Sequence, residues 1–226
     1  MNDIKKNAVL KSLSLTEEEL VKINQFALKE LTADEVFTFK LAACNNDIDR
    51  DFEAFTSAAL HKLAELYVGK TIIQDHRAST ANQCARIYDA EVEATGETSK
   101  TGEPFERLIL HCYCLRANNE ELIADIEAGI KKECSVGCAI GKAICSICEQ
   151  DNAKSWCEHY PSKTYDGRLC YFKLDDAKDA YEVSFVAIPA QPAAGITKSY
   201  GGKKTPVKNL NIEIEEITTF IKEQEK

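Results

Sequence analysis

Val36-Phe37-Thr38-Phe39-Lys40-Leu41-Ala42-Ala43-Cys44 places apolar side chains at every second position, with Phe37, Phe39 and Leu41 on one side. Period-two alternation marks a strand with one buried face. Working outward, Asn45 to Asp51 is a polar loop, and Thr56 caps a helix running to about Tyr67. Its inner face carries Ala59, Leu60, Leu63 and Leu66, and Gly69 stops it. Thr71-Ile72-Ile73 is a short apolar strand that delivers His76 to its end. Ala85–Ala94 and Phe105–Leu115 read as two strands of a hairpin, with Gly96 and Gly102 bracketing the polar turn. A helix capped by Asn118 or Asn119 contains Leu122, Ile123 and Ile126 and closes at Gly129. A strand carrying Ser135 follows, then strands at Leu169–Leu174 and Glu182–Ile188. Pro189-Ala190-Gln191-Pro192 ends the last one, because proline cannot continue a ladder. Strands dominate the middle and two or three helices surround them. The pattern predicts an α+β domain on a curved antiparallel sheet or barrel.

The ends differ from this centre. Residues 1–34 read as an N-terminal helical extension, with capping boxes at Ser14-Leu15-Thr16-Glu17 and Thr16-Glu17-Glu18-Glu19. Residues 35–194 form the main domain, and 145–170 are a polar, Cys-rich insertion within it. Residues 195–226 are a linker, rich in Gly, Lys and Pro over 197–210, and an acidic amphipathic helix from Asn211. The chain contains no internal repeat.

The 226 residues suffice for one sizeable core, and the 44% hydrophobic and 29% charged shares are those of an ordinary globular chain. The net charge of −9 argues against a nucleic-acid-binding face, which needs clustered Lys and Arg. Neither a membrane-spanning run of 18 apolar residues nor a signal-peptide core is apparent, so a cytosolic protein is expected. Ten cysteines in such a protein are thiols or metal ligands rather than a disulfide framework.

Glu133-Cys134-Ser135-Val136-Gly137-Cys138, Asp75-His76 and Tyr181-Glu182-Val183-Ser184 together supply a hydroxyl, an imidazole and a carboxylate. A hydroxyl nucleophile needs a base to take its proton and a third group to orient that base. Gly137 allows backbone to approach closely, as an oxyanion site requires. Cys134 and Cys138 are alternative nucleophiles, but alternation turns Cys134 to the opposite face from Ser135. Ser184 reads as a packed strand hydroxyl. Asp47, Asp49 and Asp51 lack the glycine and distal glutamate of a calcium loop, and Gly201-Gly202-Lys203-Lys204 is not bracketed as a phosphate loop.

Those segments, with Asp49-Arg50-Asp51-Phe52-Glu53, Gly69-Lys70-Thr71, Ala85-Arg86-Ile87, Gly129–Gly137 and Glu182–Ala190, form an ordered set that resembles the prohead (capsid maturation) serine proteases of tailed bacteriophages. The resemblance runs from Val36 to Ala194. That family is itself similar to herpesvirus assemblin, a β-barrel serine protease. The resemblance implies that Ser135 is the acyl-forming nucleophile and His76 the general base, then acid. Glu182 fits the chain order for the third member. In the herpesvirus relatives that member is a histidine, and His111 precedes Ser135, so it does not match. The implied substrates are the scaffold, or the scaffold-like segment of the major capsid protein, and the enzyme itself, inside the procapsid assembling in the host cytoplasm. A homodimer is implied by the herpesvirus relatives, and no nucleic-acid or membrane partner is expected. The rival from another class is a non-catalytic, zinc-stabilised scaffold or capsid-interaction protein that keeps the fold.

Within the insertion, Cys145-Ser146-Ile147-Cys148 precedes Cys157-Glu158-His159, a C-x2-C-x8-C-x-H pattern. Two close pairs of soft donors complete the tetrahedron that structural zinc prefers. Cys145, Cys148, Cys157 and His159 are the expected ligands, with Cys170 as a spare. Four protein ligands leave no open position, so such a zinc would be structural, and no cofactor for catalysis is expected.

Overall fold

A computed structural model describes residues 15–200. The first capping box, which begins at Ser14, and the C-terminal helix expected from Asn211 lie outside the described residues. The second box forms at the head of helix α1 (Glu17–Asn24), where the Glu19 N–H donates to Thr16 Oγ1 at 3.2 Å and the Thr16 N–H to Glu19 Oε2 at 3.0 Å. The helix packs through Ile23 with Leu31, Val36, Tyr88 and Tyr113 in a small cluster beside the main core.

The remaining elements are β1 (Val36–Asn45), β2 (Glu53–Phe55), α2 (Ser57–Tyr67), β3 (Thr71–Gln74), β4 (Ala85–Thr98), β5 (Pro104–Leu115), α3 (Glu120–Glu127), β6 (Cys134–Cys145), β7 (Thr164–Tyr165), β8 (Arg168–Leu169), β9 (Phe172–Phe185) and β10 (Gly195–Tyr200). The α+β class and the sheet-dominated core follow the alternation of the sequence. Phe37, Phe39 and Leu41 are all core residues. The Thr56 hydroxyl accepts the Ala59 N–H at 3.1 Å and so caps α2, which buries Ala59, Leu60, Leu63 and Tyr67 against the sheet. Burying each leucine contributes about 1.5–3 kcal/mol. Truncating Leu63 to alanine should cost about 2–5 kcal/mol, because the site is fully enclosed.

Eight strands form one sheet, in the order β10-β1-β5-β4-β3-β9-β2, with β6 on the other edge of β9. The sheet is mixed rather than antiparallel throughout. β2 and β3 both run parallel to β9, β2 beside Phe172–Leu174 and β3 beside Glu182–Phe185. Two like-directed strands need a crossover, and α2 supplies it. The path curls until its ends touch: Glu133 bridges Gly195, and the Ile196 N–H donates to Lys132 O at 2.8 Å.

Two further differences from the sequence reading concern element ends. The strands expected at Leu169–Leu174 and Glu182–Ile188 are largely one 14-residue strand, β9. The polar run Asp175-Asp176-Ala177-Lys178-Asp179 looks like a break but is a bulged stretch of ladder. Asp176 adopts φ 60°, and Gly141 opposite leaves room for it, since a Cβ there would meet Asp176 Oδ2 at 2.5 Å. Residues 195–200, expected as the start of a linker, instead pair with β1.

Candidate active site and metal centre

β9 organises the candidate active site. On one edge it pairs Glu182 with Thr71 and Ser184 with Ile73; on the other it pairs Glu182 with Gly137 and Ser184 with Ser135. Partners directly across a ladder share a face. Ser135, Gly137, Glu182 and Ser184 therefore lie on one face, while Cys134, Val136, Val183 and Phe185 point into the core or pack against it.

The histidine reaches that face through a strained turn. Asp75 and His76 follow β3 with φ 54° and 52°, and the Arg77 N–H closes back on Gln74 O at 3.1 Å. Two consecutive positive-φ residues mark a type I′ turn, which ordinarily takes Asn-Gly or Asp-Gly. Left-handed backbone costs an ordinary L-residue about 1–2 kcal/mol. Strain of this kind collects at functional sites when the surroundings hold it. Here the Asp75 N–H donates to Phe185 O at 3.0 Å and the His76 N–H to Ser184 Oγ at 2.9 Å.

The turn presents the His76 ring to Glu182, with Nδ1 2.7 Å from Oε1. An ionised carboxylate only accepts, so Nδ1 carries the proton of this bond, and in the neutral ring Nε2 then holds the lone pair. The His76 side chain is 45% exposed and that of Glu182 13% exposed, so a sheltered carboxylate holds an accessible imidazole. Ser184 donates to the other carboxylate oxygen, Oε2, at 2.8 Å. The Gly137 expectation changes accordingly. What comes close to this glycine is the Glu182 carboxylate rather than backbone, and a Cβ at 137 would meet Oε1 at 2.5 Å.

His76, Glu182 and Ser135 are thus brought to one face, but unequally. His76 and Glu182 are bonded, whereas Ser135 Oγ makes no hydrogen bond to any described residue, His76 included. The neighbouring cysteines are poor nucleophiles. Burial pushes the Cys134 thiol up to about 12 and that of Cys138 to about 11. A cavity of about 390 Å³ touches Ser135 and is lined by Cys134, Val136 and Cys138 along β6, with Glu53 and Phe55 of β2. His76 and Glu182 do not line it, so the paired side chains and not the cavity locate the chemistry. His111 is elsewhere, with Nε2 bonded to Glu91 Oε1 at 2.9 Å. Asp49 turns inward on its own loop, accepting the Asp51 and Glu53 N–H groups at 2.9 Å each. The role of Ser184 was invisible in the sequence. A serine two residues from a glutamate in a strand is ordinary, and only the ladder shows that both side chains meet the histidine.

The second cluster lies in the insertion between β6 and β9. One donor atom from each of Cys145, Cys148, Cys157 and His159 lies within 4.8 Å of the others, near the ~3.8 Å edge of a tetrahedron with 2.3 Å metal–sulfur bonds. His159 Nδ1 is buried with no hydrogen-bond partner, as a nitrogen aimed at a metal should be. The Ile147 N–H donates to Cys145 Sγ at 3.4 Å, and Asn152 Nδ2 to Cys157 Sγ at 3.5 Å, contacts that suit thiolates. Partial burial pushes the Cys157 thiol up, but hydrogen bonds with the His159 backbone and the Asn152 amide outweigh it and hold it at about 6. Cys170, the spare, sits 4.0 Å from Cys145 Sγ outside the four-donor group, with its thiol raised to about 11 by burial. The segment closes with the β7–β8 hairpin, whose Asp166-Gly167 turn has φ 49° and 77°. These residues can hold a metal ion.

Compared with protein-family models, with curated proteins and with solved structures, the chain finds no significant match. Among the described residues no helix is long and apolar enough to cross a membrane.

Proposed function

We propose that the protein is a serine endopeptidase of the prohead type, cleaving scaffold or the scaffold-like segment of the major capsid protein, and itself, during capsid maturation in the host cytoplasm. The observation that carries the hydrolase reading is the His76 Nδ1–Glu182 Oε1 bond of 2.7 Å on the face that also bears Ser135. The substrate class rests on the sequence resemblance. In the proposed reaction His76 Nε2 takes the Ser135 hydroxyl proton as Oγ attacks the scissile carbonyl carbon. The imidazolium, steadied by Glu182, passes that proton to the leaving amine as the peptide bond breaks. Water then attacks the acyl-enzyme, giving a proton to His76, and Ser135 recovers its hydrogen as the acid leaves. Positioned acid–base catalysis of this kind contributes about 10²–10⁴-fold.

The ion is proposed to be zinc, held by Cys145, Cys148, Cys157 and His159 in a structural role. The donor set and the orphaned His159 Nδ1 support this reading. The metal would order the insertion and take no part in hydrolysis.

A second reading, a non-catalytic capsid-interaction protein that retains the fold, is favoured by the absence of a Ser135–His76 hydrogen bond. Co-expression with the capsid protein separates the two. Wild type should process the capsid protein and Ser135→Ala should not. Equal processing removes Ser135 from the mechanism, and no processing by either favours the second reading. Elemental analysis of the purified protein should find about one zinc per chain. A metal-free, fully ordered insertion would discard the zinc proposal.

A further inference from the structure

We infer that Ser184 is a positioning residue of this site, fixing the Glu182 carboxylate and the His76 turn in a single arrangement. The inference rests on the hydrolase reading above. Ser184 is 0% exposed although it lies on the face of β9 away from the core. A hydroxyl has one proton and two lone pairs. Ser184 gives its proton to Glu182 Oε2 at 2.8 Å and accepts the His76 N–H at 2.9 Å. The His76 ring meets the other oxygen, Oε1, at 2.7 Å. Main chain and ring of one histidine are therefore tied to one carboxylate, the first through Ser184 and the second directly. Gly137 completes the seat, because a Cβ there would lie 2.5 Å from Oε1 and push the carboxylate out of this position.

The arrangement answers two needs with one atom. The left-handed turn at His76 needs its N–H satisfied, or the strain has nothing to hold it. The carboxylate must not rotate, since its orientation selects which imidazole nitrogen carries the proton. Serine is the smallest side chain that can do both in an enclosed space. Removing the hydroxyl should leave the nucleophile and the base in place but let the base lose its tautomer and aim. Misplacement on the scale of 1 Å costs about 10²-fold in rate.

The test uses the full chain and a fluorophosphonate probe, which bonds phosphorus to an activated serine oxygen and expels fluoride. Wild type, Ser135→Ala, Ser184→Ala and Ser184→Thr are compared by labelling rate, with labelled wild type digested to locate the phosphonyl group. In parallel, ¹⁵N spectra of the His76 ring report its tautomer, assigned against His76→Gln. Ser184→Ala should label roughly 10–100-fold more slowly and lose the pure Nδ1–H signature, and Ser184→Thr should recover most of both. Wild-type labelling by Ser184→Ala, or an unchanged His76 spectrum, overturns the proposal. If wild type fails to label at Ser135, the hydrolase reading falls, and the ring spectra still decide whether Ser184 positions His76. Should Ser184→Ala not fold, Gly137→Ala disturbs the same carboxylate while keeping the hydroxyl. It should slow labelling and shift the His76 signals, and an unchanged variant would overturn the proposal equally.

Discussion

The candidate active site and the Cys-rich insertion are held by different physics. At the active site each side chain is located by backbone pairing: β6, β9 and β3 lie in one continuous ladder, and the strained Asp75-His76 turn is bonded onto it at Phe185 O and Ser184 Oγ. Its geometry needs no ion. The insertion has only Cys145, Cys170 and Phe172 in its buried cluster, with Ala143, Ile147, Cys157 and Tyr165 packed around them. So little apolar burial does not offset the entropy of ordering a segment this long. There the proposed ion and its four donors would supply the cohesion; structural zinc in finger peptides contributes an apparent 10–16 kcal/mol, roughly, at neutral pH. The candidate catalytic geometry is thus built into the continuous ladder of the sheet, and the proposed metal would act where a core is missing.

The sharpest way to break this contrast is Glu182→Gln. An amide in place of the carboxylate reverses the preferred tautomer of His76, and loss of the correct tautomer costs about 10⁴-fold in a comparable triad. Fluorophosphonate labelling should collapse by roughly that factor, while metal content and far-ultraviolet circular dichroism stay as in wild type. Retention of more than a tenth of the rate would remove Glu182 from its role.

The next largest effect should come from the other region. Cys148→Ser, or chelation of the wild type, should open the insertion to limited proteolysis between Ser146 and Tyr171. The main unfolding transition should survive, because the core cluster lies outside the insertion. Loss of the whole fold on chelation would mean that the two regions are not independent.

Acid should separate them in a graded way. Proton and metal compete for the same sulfur lone pair. The Cys157 thiol sits at about 6, below its ordinary value of 9.0, so thiolate is available above that pH and the insertion is progressively stabilised as pH rises from 6 towards 9. That stabilisation is lost as pH falls through 6. Metal content after dialysis should hold at pH 8 and fall by half at or below about pH 6. Retention unchanged to pH 4, or release beginning above pH 7, contradicts this.

The smallest effect tests the strain. Asp75→Gly relieves one left-handed residue and should raise stability by about 1 kcal/mol, or about 2–4 °C in melting temperature. No described partner holds the Asp75 side chain, so labelling of Ser135 should remain within a few-fold. A lower melting temperature would show that the turn is not strained at that residue.

Much of this was legible in the residues themselves. The Phe37-Phe39-Leu41 alternation, the Thr56 cap and the glycine-bracketed hairpin are local signals, and each element formed where its period required. The C-x2-C-x8-C-x-H spacing is local too, because two donors three apart meet one ion wherever the chain goes. β9 departs from the sequence reading because its register shift at Lys178 and its left-handed Asp176 are accommodated by another strand, where Gly141 leaves room for the Asp176 side chain. β10 was misread because Gly195–Tyr200 becomes a strand only when β1 offers an edge.

The sequence by itself determined the α+β class, the positions of most elements and the donor set in the insertion, since these depend on periodicities and spacings within about a dozen residues. Only the tertiary structure decided that Glu182 faces His76, that Ser184 joins them and that Gly137 exists to admit a carboxylate. Those relations depend on register between strands some 50 to 110 residues apart in the chain. A one-residue slip in either pairing would turn every one of these side chains to the opposite face.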